Sequence, residues 1–259
     1  MEARGPRSRW PAMTPITPES PCAAEFLASP NHGERKGGRR PDALVLHYTG
    51  MPSSAEAQAW LRNPAAQVSC HYFVWEDGHI VQLVPEGRRA WHAGRSFWQG
   101  ESDLNSASIG IEIANPGHDG GLPPFLEAQI AAVIALCRDI AARLAIPPRR
   151  VLAHSDIAPL RKRDPGEKFP WARLHREGVG HYVEPAPIGD TGTSVVEVET
   201  LQAMLARYGY EIPVSGVYCA ATEAVVRAFQ RHFRAKRVDG IADCSTVTTL
   251  RELIAALPA

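Results

Sequence analysis

Between Ser108 and His154 the chain spells a strand, a helix and a second strand, an order that restricts it to folds in which helices cover a sheet. In SIGIEIAN, Ile109, Ile111 and Ile113 fall on one face, with Gly110, Glu112 and Ala114 on the other, the two-residue period of a strand. Ile130, Val133, Ile134, Cys137, Ile140, Ala141 and Leu144 then recur at the three-and-four spacing of one buried helical stripe. Pro147 and Pro148 end that helix, and VLAH, Val151 to His154, spells the next strand. Upstream, ALVLHY and HYFVWEDGHIVQLV spell further strands, the latter folded into a hairpin at Glu76-Asp77-Gly78. This alternation predicts an α/β domain over residues 41–178, a mixed central sheet flanked by helices.

The flanks differ in composition. Residues 1–40 are rich in Pro, Arg and Gly and predict a loosely packed N-terminal arm, and residues 179–194 predict a linker on similar grounds. Residues 195–259 predict a small three-helix module. Its stripes are Val198, Leu201, Leu205 and Tyr208, then Val225, Phe229 and Phe233, then Val247, Leu250, Ile254 and Leu257. A weak repeat, GVYCAAT and GIADCST, places Thr222 and Thr246 as expected caps of the last two helices.

Bulk properties exclude several function classes. Hydrophobic residues make up 44% and charged residues 22% of the 259, the proportions of an ordinary globular protein. Lys plus Arg and Asp plus Glu both number 28, so the net charge is zero and nothing favours a nucleic-acid partner. No window approaches the roughly 18 apolar residues of a membrane span. The start has no run of about 7–15 apolar residues such as an export signal carries, which predicts the cytoplasm, with the periplasm as the alternative. The five scattered cysteines contain no CxxC pair and agree with a reducing compartment.

The chemistry concentrates in HSDIAPLRKRDPG, His154 to Gly166, which Pro159 and Pro165 are expected to keep from coiling into a helix. It carries His154, Lys162 and Asp164, while His47 stands near the end of ALVLHY. Two imidazoles and a carboxylate are ligands that a catalytic zinc accepts, with about three protein ligands and one open position. Glu112 lies on the strand face opposite the isoleucines, where core packing does not place a carboxylate; it is the candidate general base. Lys162 suits stabilisation of an oxyanion. Duller assignments stand beside these: a hydrogen-bonded histidine at a strand end, Asp164 initiating a turn before proline, Lys162 in a solvated charge run.

LVLHYTG, RAWHAG, SIGIEIANPG and HSDIAPLRKRDPG, in this order, resemble the type 2 N-acetylmuramoyl-L-alanine amidases over about residues 42–178. The resemblance implies cleavage of the amide between N-acetylmuramic acid, 1,6-anhydro forms included, and the L-alanine of the stem peptide. It implies one zinc ion on His47, His154 and Asp164, with Glu112 and Lys162 catalytic. Trp91 and His92 of the WHAG motif fall by resemblance near the substrate cleft, His92 as a substrate contact or a structural hydrogen bond. Arg161 falls where it pairs with a stem-peptide carboxylate or lies on the surface. The C-terminal module resembles peptidoglycan-binding domain 1, whose partner is peptidoglycan or its muropeptides. The competing functions are a non-catalytic peptidoglycan sensor and a zinc peptidase cutting within the stem.

Overall fold

The isoleucine-rich run forms an inner strand of a six-stranded sheet in the computed structural model, which describes residues 17–189 and 196–257. The sheet contains β1 (Glu25–Phe26), β3 (Ala43–Tyr48), β4 (Tyr72–Val74), β5 (Ile80–Gln82), β7 (Ser108–Ile113) and β8 (Val151–Ala153). Their spatial order is β1-β5-β4-β7-β3-β8. β4, β7, β3 and β8 are parallel neighbours, β5 returns antiparallel to β4, and β1 runs parallel to β5. β2 (His32–Glu34) and β6 (Arg88–Ala90) make a separate antiparallel ribbon. The helices are α1 (Ser54–Leu61), α2 (Leu104–Ala107), α3 (Glu127–Leu144), α4 (His154–Ile157), α5 (Trp171–Arg176), α6 (Val198–Tyr208), α7 (Ala220–Phe233) and α8 (Cys244–Ala255).

Strand alternation divides the sheet into two unlike faces. Leu44, Leu46, Tyr72, Val74, Ile109, Ile111 and Ile113 face the stripe of α3, where Ile130, Val133, Cys137 and Ile140 are buried against them. Each such side chain contributes roughly 1.5–3 kcal/mol by leaving water. On the opposite face Phe73 and Val81 pack with Ala57 and Leu61 of α1, and Val45 packs with Ala93 and Leu152. Between these two apolar patches lie His47 and Glu112, lining an open cleft.

The C-terminal helices join the sheet domain in one continuous core. Trp98, Leu104 and Ile157 pack with Leu205, Tyr208, Tyr210, Phe229 and Phe233. The weak repeat has a physical basis in two buried glutamines. Gln202 Oε1 accepts from the backbone N–H of Ser215 and Gly216, and its Nε2 donates to Val217 O and Thr222 Oγ1. Gln230 does the same with Asp239, Gly240, Ile241 and Thr246. Each glutamine thus satisfies the polar backbone of the glycine turn before the next helix.

Several expectations need correction. The described part of the N-terminal arm is packed, not loose: β1 pairs with β5, and Arg35 is 5% exposed. The Arg35 guanidinium donates to Glu86 O, Asn105 O, Ser106 O and Ser108 O, tying four backbone carbonyls whose donors would otherwise be missing. Within the expected linker, Val179 is buried, and Tyr182 and Val183 pack on the core. Residues 1–16 of the expected arm and 190–194 of the expected linker lie outside the described residues. Thr222 and Thr246 do not cap their helices; Cys219 and Asp243 occupy the cap positions, and Asp243 Oδ1 accepts from Thr246 N at 2.8 Å. The segment after His154 does coil for one turn, α4, which stops at Ala158 because Pro159 follows. In the C-terminal module Arg234 is 1% exposed and donates to Thr246 Oγ1, which makes it a structural cation.

Candidate metal centre

Parallel pairing sets the site. His47, near the C-terminal end of β3, lies opposite Glu112 of β7, so both side chains rise from the same face of the sheet. β8 runs along the other side of β3, and His154 follows it at the first position of α4. The loop after α4 brings Asp164 back, where its carbonyl accepts from Ser155 N at 3.0 Å. Chain ends of neighbouring parallel strands are where sheets of this type place their sites.

Three acceptor atoms converge there. His47 Nδ1 lies 2.9 Å from His154 Nδ1 and 3.0 Å from Asp164 Oδ2, and His154 Nδ1 lies 2.9 Å from the same oxygen. The far nitrogens explain the orientation. His154 Nε2 sits 3.2 Å from Ala93 O, a pure acceptor, so its proton is on Nε2 and a lone pair on Nδ1. His47 Nε2 lies 3.0 Å from His92 Nδ1, and His92 Nε2 lies 3.3 Å from Ser108 Oγ, whose own proton goes to Leu104 O. That chain is consistent only if His47, too, donates through Nε2 and turns a lone pair inward.

Lone pairs facing one another across 3 Å are unfavourable unless a cation sits among them. Ligand bonds of about 2.0–2.1 Å in a tetrahedral zinc site separate the ligand atoms by about 3.3 Å, close to the spacing seen. Among the described residues, these three form the group whose donor atoms lie near enough to share an ion. Burial, and then the neighbouring His154, lower His47 to about 4, so it is neutral and fit to ligate at pH 7. Burial pushes the Asp164 carboxyl up, but its closeness to His154 and then to His47 holds it below the usual carboxylate range, so it meets an ion as a carboxylate. The donor set suits zinc.

Glu112 is different. Its Oε2 is buried with no hydrogen-bond partner among the described residues. Desolvation first, then the Asp164 charge, push its carboxyl well above the usual range, against the pull of Lys162. An unpartnered carboxylate raised in this way is poised to accept a proton. Lys162 and Trp91 line the same cleft of about 410 Å³.

The remaining candidates occupy supporting positions. His92 is 8% exposed with both ring nitrogens engaged, which leaves it no free polar atom for a substrate. Arg161 lines the cleft, but its guanidinium spans Ala93 O and Arg95 O and clamps the WHAG loop in place. Sequence reasoning missed Asn105, Gly110 and Asp156. Asn105 Oδ1 accepts from His92 N and Ala93 N. A Cβ on Gly110 would lie 2.4 Å from the His92 ring, so only glycine lets that ring reach His47. The break that Gly110 makes in the SIGIEI alternation was the available signal for it.

Comparison with known proteins agrees with this geometry. The N-acetylmuramoyl-L-alanine amidase family model matches residues 37–167, and a peptidoglycan binding domain model matches residues 194–250. The chain is 39% identical over 232 residues to the N-acetylmuramoyl-L-alanine amidase AmiD of Escherichia coli (strain K12), covering 83% of each. It is 34% identical over 169 residues to the 1,6-anhydro-N-acetylmuramyl-L-alanine amidase AmpD of Enterobacter cloacae, covering 59% of this chain and 88% of that one. The solved complex of Escherichia coli AmiD with anhydro-N-acetylmuramic acid-L-Ala-D-gamma-Glu-L-Lys superposes with a TM-score of 0.75 at 39% identity, covering 84% of this chain and 90% of that one. AmpDh3 of Pseudomonas aeruginosa in complex with anhydromuramic pentapeptide gives a TM-score of 0.75 at 34% identity, covering 86% and 95%. A matched family and a shared fold lead to one conclusion: this chain belongs to the N-acetylmuramoyl-L-alanine amidase family.

Proposed function

We propose that the chain is a zinc-dependent amidase in which His47, His154 and Asp164 hold one ion, Glu112 is the general base and Lys162 stabilises the oxyanion. The observation that carries this reading is the convergence of three inward lone pairs beside one unpartnered carboxylate. Bound zinc supplies a lowered water pKa and a polarised carbonyl. Glu112 takes the proton of the attacking water and returns it to the leaving nitrogen of L-alanine. Lys162 donates to the oxygen on which negative charge develops. Trp91 offers an apolar wall to the sugar or peptide, and Arg161 holds the WHAG loop that forms this wall.

The substrate is peptidoglycan or its muropeptides, cut between N-acetylmuramic acid and L-alanine. The solved complexes of AmiD and AmpDh3 with anhydromuramyl peptides support inclusion of the 1,6-anhydro form. We assign residues 41–178 to catalysis, 179–194 to the linking segment and 195–259 to peptidoglycan binding, in line with the two family matches. No helix among the described residues is long and apolar enough to cross a membrane. Action on soluble anhydro-fragments fits a cytoplasmic recycling route, whereas digestion of polymer fits the periplasm, and cell fractionation separates the two.

The test is chelation followed by mass analysis. Chelator should abolish release of the stem peptide from a muropeptide, and zinc should restore it. The sugar product should carry no amino acid. A residual L-alanine on the sugar identifies a peptidase, and binding without any product identifies a sensor.

A further inference from the structure

Two residues beyond His154 lies Asp156, a carboxylate with no exposed surface, which the reaction does not use. Its Oδ2 accepts from Ala153 N at 2.8 Å, which closes the turn α4 that carries His154. Both remaining partners come from the C-terminal module. Tyr210 Oη donates to Oδ1 at 2.9 Å, and His232 Nδ1 donates to Oδ2 at 2.7 Å. His232 is itself held flat between Trp171, at a centroid distance of 3.7 Å, and Phe233, at 3.8 Å. The preceding residue of α7, Arg231, places Nε 3.9 Å from Glu167 Oε2, an ion pair beyond hydrogen-bond range just past Asp164. Helix α7 therefore meets the ligand-bearing segment on both sides of Asp164, hydrogen-bonded at Asp156 and in a longer ion pair at Glu167.

We propose that Tyr210 and His232 are positioning residues of the metal centre: they fix Asp156, and Asp156 fixes the turn that aims His154 Nδ1 at His47 and Asp164. The inference rests on the reading of those three residues as zinc ligands. The module is thereby an integral support of the catalytic site in addition to any part it takes in binding peptidoglycan. The physical reason is the cost of an unpaired buried acceptor. With both side-chain donors removed, the Asp156 carboxylate keeps only one backbone N–H and must move toward water or another donor. Since it is bonded to the first turn of α4, His154 moves with it. Groups that orient metal ligands typically alter affinity by about 10–100-fold when lost.

The experiment measures the zinc Kd of the full chain by chelator competition, alongside melting temperature. His232→Phe keeps the stack on Trp171 and deletes the donor, Tyr210→Phe deletes only the hydroxyl, and His232→Asn keeps a donor while losing the stack. The expected result is a Kd raised about tenfold or more in Tyr210→Phe/His232→Phe. His232→Asn should lie close to the parent, and stem-peptide release by the double variant should return in excess zinc with KM unchanged. If the double variant does not fold, each single variant is read in the same way. His154→Ala is run in parallel. A large loss of zinc in His154→Ala with an unchanged Kd in the folded Tyr210 and His232 variants overturns the proposal and leaves the ligand assignment standing. An unchanged Kd in His154→Ala removes the ligand assignment, and the proposal with it.

Discussion

His47 of β3 and Glu112 of β7 face each other across a parallel ladder, so the register of two neighbouring strands places one member of the His47, His154 and Asp164 group beside the proposed general base. Glu112→Gln preserves the shape of that pair and removes the base. The variant should bind zinc as the parent does and lose roughly 100- to 10,000-fold in kcat. Metal content by elemental analysis and stem-peptide release by mass check both halves; an unaffected rate removes Glu112 from the mechanism.

The raised pKa of Glu112 has a second consequence. A carboxyl raised in the folded state binds its proton more tightly than in the unfolded chain, so its contribution to stability is present at low pH. It is lost as pH rises from about 4.3, the ordinary glutamate value, through the raised folded value. In the metal-free protein, Glu112→Gln should therefore melt higher than the parent above that pH, with the gap closing in acid. Thermal unfolding at pH 5 and pH 8 in the presence of chelator reads the sign directly.

Gly110 supports His47 at one remove. Its absent Cβ leaves the space that the His92 ring fills, and an added methyl would sit 2.4 Å from that ring. Gly110→Ala should displace His92, release His47 Nε2 from its acceptor and raise the zinc Kd roughly 10–100-fold. Overpacking should also cost about 1–3 kcal/mol of stability. Chelator competition and denaturant unfolding measure the two effects; an alanine variant with the parent's Kd would contradict the role given to His92.

Lys162 lines the cleft with Glu112, His47, His154 and Asp164. If it meets charge that exists only in the transition state, Lys162→Met should lower kcat by roughly 100- to 1,000-fold while KM and zinc Kd change little. A rise in KM at constant kcat would instead make it a ground-state contact for substrate.

Much of this protein was legible before any fold was known, because strand and helix periods depend only on local geometry. The three isoleucines of SIGIEI and the stripe of α3 did meet as one core, and Glu112 did fall on the other face. Roles that depend on packing between distant segments were not legible. Arg35 lies in a stretch whose composition suggests a loose arm, yet it is buried because carbonyls from three later segments need its donors. His92 and Arg161 stayed open between a substrate contact and a structural or surface place, since nothing local tells a free nitrogen from one engaged across the fold.

The amino-acid order alone determined the α/β layering and the family, and it supplied the residues proposed for metal and acid–base chemistry, since these follow from side-chain type and short-range spacing. Only the tertiary structure decided that the Nδ1 atoms of His47 and His154 turn inward, through acceptors at His92 and Ala93. It alone decided that the C-terminal helices share the core beneath His154. Hydrogen-bond partners separated by 45 to 76 residues leave no mark on local periodicity, because contact between them exists only once the sheet and its helices have closed.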